Sequence, residues 1–137
     1  MAGSSHTLTS HTFPRRSGSP IGEVVTAFVG DDGTGAVPTY TFQLPVDAEL
    51  VSLVTNPGST APTANYDITL LDTDSIDVLQ GLGANRHTSN SEEASLYYAT
   101  QLGRPLVMGG RNLVLTIANQ AVNSATGTIA LRYRRAS

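Results

Sequence analysis

The chain of 137 residues contains no lysine, no cysteine and no tryptophan. Without cysteine there is no disulfide, no thiolate nucleophile and no cysteine-ligated zinc. Without tryptophan, and with five tyrosines, the aromatic platforms expected of a sugar-cleaving cleft are thin. Apolar runs last only a few residues, far short of the ~20 that carry a helix across a bilayer. The opening Met1-Ala2-Gly3-Ser4-Ser5-His6 has no apolar core, so it predicts no secretory signal. No stretch keeps a helical period beyond two turns, and no short repeat is present.

What is there is small, polar and β-branched. All eight basic residues are arginine. The planar, weakly hydrated guanidinium suits interfaces better than an ammonium, although codon bias gives the same count. The charges are also segregated. Nine carboxylates and no arginine lie between Glu23 and Asn85, whereas Ala94 to Ser137 holds five arginines and no carboxylate. Two halves of opposite sign pair inside one molecule by default. The alternative is complementary patches between neighbouring subunits.

The stretch that organises the chain is Asn65 to Leu79. Tyr66, Ile68 and Leu70 alternate with Asp67 and Thr69, the period of a half-buried strand. Asp72-Thr73-Asp74-Ser75 supplies turn chemistry, and Ile76, Val78 and Leu79 resume the apolar pattern, which predicts a hairpin. Before it, Ile21–Val29 and Thr39–Leu44 read as a second hairpin across the loop from Gly30 to Gly35. Ala48–Thr55 is apolar on both faces, as expected of a strand buried on both sides or with one face against a partner. After it come a long polar loop (Gly81–Ser91), a strand or short helix over Glu92–Ala99 and a short strand over Pro105–Met108. Gly109-Gly110 reads as a turn. Arg111–Ala118 and Thr128–Arg134 are strands, the last with Ile129, Leu131 and Tyr133 inward. About eight short strands with turn signals between them predict an all-β fold, a two-sheet antiparallel sandwich of jelly-roll type.

Residues 1–19 read as an extended N-terminal arm and 20–137 as the sandwich domain. The arm offers only Leu8 and Phe13 to a core. Ordering its backbone costs about 1–2 kcal/mol per residue, so it is expected to stand free or lie on a neighbour.

Candidate chemistry is sparse. Asp72, Asp74 and Asp77 invite a calcium loop, but its fifth, sixth and twelfth positions would be Ile76, Asp77 and Gly83, which breaks the EF-hand pattern. These residues, with Asp31 and Asp32, are read as turn formers. His6 and His11 are five apart, a spacing that turns strand residues to opposite faces, so zinc is not expected. His87 has no strand–Gly-x-Ser-x-Gly–helix context to complete a triad. Arg132, Arg134 and Arg135 form a basic end, read as strand-edge charges or subunit contacts rather than phosphate ligands. No catalytic residue, metal or cofactor is assigned, and neither membrane nor direct nucleic-acid binding is expected.

Three segments carry a family resemblance: Glu23-Val-Val-Thr-Ala-Phe28, then Tyr66 to Val78 with Gly83-Ala-Asn-Arg86, then Gly110-Arg-Asn-Leu-Val-Leu115. In strand order, size and turn composition, residues 20 to 134 resemble the small β-sandwich capsid decoration (cement) and head accessory proteins of tailed bacteriophages. The resemblance implies a non-enzymatic virion protein, made in the host cytoplasm and placed on the outer capsid surface. It implies a homo-oligomer, often a trimer, that binds the major capsid protein lattice. Leu8, Phe13, Arg15 and Arg16 of the arm, with Arg132, Arg134 and Arg135, are the expected partner-binding residues. A tail, neck or fibre protein is the alternative within virions. A carbohydrate- or receptor-binding module using Tyr97 and Tyr98 is the alternative outside them.

Overall fold

The computed structural model describes residues 3–15, 17–45, 47–96 and 111–135. Arg16, Tyr97, Tyr98, the strand expected over Pro105–Met108 and the Gly109-Gly110 turn lie outside the described residues. Eight strands are described: β1 (Ser5–Thr12), β2 (Ile21–Val29), β3 (Tyr40–Phe42), β4 (Ala48–Pro57), β5 (Asp67–Leu71), β6 (Glu92–Ser95), β7 (Leu113–Ala118) and β8 (Thr126–Arg135). They form two antiparallel sheets, a five-stranded one in the order β1-β2-β8-β4-β6 and a three-stranded one in the order β3-β7-β5. The all-β, two-sheet fold expected from the strand pattern is the fold observed.

The core fills the space between the sheets. Val24 and Phe28 of β2, Leu50 and Leu53 of β4 and Ile129, Leu131 and Tyr133 of β8 meet Ile68 and Leu70 of β5 and Leu113, Leu115 and Ile117 of β7. Each set alternates along its strand, so one face of each sheet is apolar and buried. In β4 the alternation is interrupted. The pairing of β4 with β8 shifts between Leu50 and Ser52, a bulge that inserts Val51. Leu50 opposite Tyr133 and Leu53 opposite Leu131 thus both face the core, although three residues apart. That bulge explains the two-faced apolar pattern of β4.

Connectivity departs from the hairpins expected. Only β1 and β2 are neighbours both in sequence and in a sheet; from β2 onward each successive described strand changes sheet. Ile21–Val29 therefore pairs with β1 and β8, and the segment after its loop pairs with β7. Likewise β5 pairs with β7, and the return through Ile76–Leu79 makes one isolated bridge, Leu71 to Asp77. Ile76 is 59% exposed. Turn chemistry marks where a chain reverses; it does not say whether the returning strand stays in the sheet.

The N-terminal segment differs most. Ser5–Thr12, expected to stand off as an arm, is an edge strand that pairs with β2 from Ser5 opposite Val29 to Thr12 opposite Glu23. The register shifts between Leu8 and Ser10, leaving Thr9 as the extra residue. His6 then lies opposite Phe28 and His11 opposite Val24, both core-facing positions of β2. The bulge corrects the parity argument, and the two histidines share the inner face. His6 is buried, while Leu8 and Phe13 are 44% and 57% exposed. The two large apolar side chains of the segment are thus exposed, and polar imidazoles take the inward places.

Candidate interaction surface

The acidic turns are internally consumed. Asp31 Oδ2 accepts hydrogen bonds from Gly33 N and Thr34 N at 2.9 Å each, and these hold its carboxyl below the usual carboxylate range. Asp72 Oδ1 accepts from Asp74 N and Ile76 N at 2.9 and 3.0 Å. Asp77 accepts from Leu70 N, Leu79 N and Gly81 N at 3.0–3.1 Å. These carboxylates replace backbone partners that the turns would otherwise leave open. Among the described residues no group of three or more His, Asp or Glu is placed to hold a metal.

Two open grooves are described. One, of about 460 Å³, has Asp31 as its carboxylate, already bonded in its own turn. The other, of about 420 Å³, runs past Phe28, Pro57 and Gly127 and has no titratable side chain in its lining. His87 stands apart, its Nδ1 accepting from Ser89 N and Asn90 N at 3.0 and 2.9 Å. A hydroxyl on an imidazole that a third group orients does occur, at Thr26, His6 and the Pro38 carbonyl, but Thr26 is fully buried and offers a substrate no approach.

The basic end of β8 closes on carboxylates of its own chain. Arg132 Nε donates to Glu23 Oε2 on β2 at 2.9 Å, and its Nη1 donates to Glu93 Oε2 on β6 at 3.1 Å. The bond to Glu23 raises its pKa further. Arg134 Nε stands 4.0 Å from Glu49 Oε2, and Arg135 Nε is 3.3 Å from Asp47 Oδ1. The sheet order places β8 between β2 and β4, which carry Glu23 and Glu49, so the two charge-segregated halves meet inside one molecule. Arg86 repeats the pattern 3.7 Å from Glu92.

That leaves the β1 edge. β1 has β2 on one side and no described strand on the other, so one row of its backbone groups faces outward. Leu8 lies on it and Phe13 follows it, stacked on His11 with ring centroids 4.1 Å apart. Arg15 is exposed next along, its N–H donating to Ser19 O at 2.9 Å. The structure brings Leu8, Phe13 and Arg15 to one rim and keeps Arg132, Arg134 and Arg135 in a separate ion-paired row. Inside the rim, His6 Nδ1 is 2.9 Å from Pro38 O, His6 Nε2 is 3.0 Å from Thr26 Oγ1 and His11 Nε2 is 2.8 Å from Tyr133 Oη. Burial pushes the Tyr133 hydroxyl up to about 12 and lowers both imidazoles. Sequence reading missed these anchors because the parity of an unpaired strand cannot reveal a bulge.

No family model and no curated protein matches the chain. Among solved structures it is similar to a chain in the capsid asymmetric unit of cyanophage Pam1, at 20% identity and TM-score 0.45, over 84% of this chain and 83% of that one. It is also similar to a chain in the acid-stable capsid of the Helicobacter pylori bacteriophage KHP30, at 13% identity and TM-score 0.43, over 96% and 94%. Likenesses this distant carry no functional argument, and the two-sheet fold rests on the strand pairing of this chain itself.

Proposed function

We propose that this chain is a structural protein of a tailed-phage capsid, a decoration protein that binds the major capsid protein lattice from outside. The observation that carries the reading is the open edge of β1 with two large exposed apolar side chains, Leu8 and Phe13. Arg15 is exposed beside them, and Arg16 follows in sequence. Such an edge offers backbone hydrogen bonds and apolar anchors to a neighbouring polypeptide. The sequence resemblance to decoration proteins supplies the partner, the major capsid protein, and self-association as a trimer. On a repeating lattice, several modest contacts multiply into avidity. Binding that favours the assembled shell over its dissociated parts stabilises it by mass action. Arg132, Arg134 and Arg135 are engaged with carboxylates of their own chain and are not part of the proposed contact.

The test is co-sedimentation of the purified chain with undecorated heads of the encoding phage. The Leu8→Asp/Phe13→Asp variant is expected to melt as the parent does and to lose particle binding. Undiminished binding by a folded variant would refute the assignment of this edge.

A further inference from the structure

We infer that β1 is a proton-released strand: acidification loosens it from β2 while the rest of the sandwich stays folded, through His6 and His11. The geometry points this way before any titration is considered. His6 Nδ1 lies 2.9 Å from the carbonyl oxygen of Pro38, which only accepts, so Nδ1 carries the hydrogen. Its other nitrogen, Nε2, then accepts from the hydroxyl of the fully buried Thr26 at 3.0 Å. A proton arriving at Nε2 reverses that bond. The Thr26 hydroxyl must rotate and give up its acceptor, and a cation must sit at a position 7% exposed.

Burial disfavours a charge on the His6 ring by more than the bond to the Pro38 carbonyl favours it. β2 contributes Thr26 and the edge of Phe28, and the segment entering β3 contributes Pro38 O. Among the described ring contacts Tyr40 of β3 is the titratable side chain against it, tilted at 48° with centroids 5.8 Å apart. His11 meets Tyr133 of β8 through Nε2 to Oη and has Phe13 stacked on its own side. The Tyr133 hydroxyl is protonated up to about pH 12 and supplies no negative charge. Glu23, opposite Thr12 at the end of β1, is bonded to Arg132 on the other face. Among the described contacts no carboxylate is hydrogen-bonded to either ring.

Burial lowers both imidazole pKa values below the ordinary 6.5. The docked strand favours neutral rings, so the undocked strand binds more protons below the ordinary value. The contribution to docking is complete above pH 6.5 and is lost as pH falls from there through the depressed folded values. The loss is local because both rings belong to one edge strand, whose other long side is unpaired among the described residues. Released, the strand would carry Leu8 and Phe13 away from their present rim.

The experiment is amide hydrogen exchange on the full chain, expressed as protection factors so that intrinsic rates cancel. Between about pH 7.5 and about pH 5, β1 protection is expected to fall at least about tenfold more than that of β8. The His6→Gln/His11→Gln variant, neutral at both positions, should keep the same β1 protection at both values. Parallel changes in β1 and β8, or an undiminished pH response in the variant, would overturn the inference. Should the variant not fold, the ring resonances of the wild-type chain decide. Midpoints below 6.5 that coincide with loss of β1 protection support the proposal, and midpoints at or above it contradict it.

Discussion

Gln120 carries more structure than its place in a polar loop suggests. It is 8% exposed. Its Oε1 accepts from Thr63 N and Val122 N at 3.0 Å each, and its Nε2 donates to Gly35 O at 2.5 Å and Val122 O at 3.0 Å. One amide thus ties together the loops around residues 35, 63 and 122. Gln120→Ala leaves these backbone groups without their partner and is expected to destabilise by about 2–3 kcal/mol, read by denaturant unfolding. Gly127 is constrained from the opposite direction. A Cβ there would lie 2.7 Å from the Phe28 ring, so Gly127→Ala should cost about 1–3 kcal/mol in the same assay. At this scale the sequence is legible where the chemistry is local. The roles of Asp31 and Asp72 follow from short side chains that reach their own backbone. Gln120 was opaque because its partners lie 57 and 85 residues away.

Strands obey the same division between near and far. The apolar pattern found β2 and β7 as strands, and period-two alternation gave β5 and β8 their inward residues, because alternation needs only one strand and one solvent boundary. It could not find the bulges of β1 and β4, which are properties of a pair. Nor could it tell a hairpin from a crossing, since both need a reversal. The cross-strand charges show how modest the individual terms are. Arg132 and its partners are partly exposed, at 40% for Arg132, 34% for Glu23 and 53% for Glu93. A double-mutant cycle on Arg132→Gln and Glu23→Gln is therefore expected to give a coupling of about 0.2–1 kcal/mol, falling as salt is added. By contrast Leu53, fully buried between the sheets, should cost about 2–5 kcal/mol when cut to alanine. Packing of β4 against the opposite sheet, more than its ion pairs, holds the five-stranded layer in place.

Taken whole, the molecule is two sheets whose charges close on one another and whose largest exposed apolar groups include two at one edge. The charge asymmetry of the sequence has pairing inside one molecule as its default reading and contacts between subunits as the alternative. The sheet order answers it within the chain, since β8 is flanked by strands that carry Glu23 and Glu49. Among the described residues the β1 rim carries two of the three large exposed apolar side chains, and the proposed capsid role stands or falls there. The most direct measurement is cryo-electron microscopy of the encoding phage's heads carrying this chain. The expected map shows the two-sheet sandwich repeated across the shell exterior, with Leu8 and Phe13 buried against an adjacent polypeptide. A shell without the sandwich, or a sandwich docked with both side chains facing solvent, would contradict it.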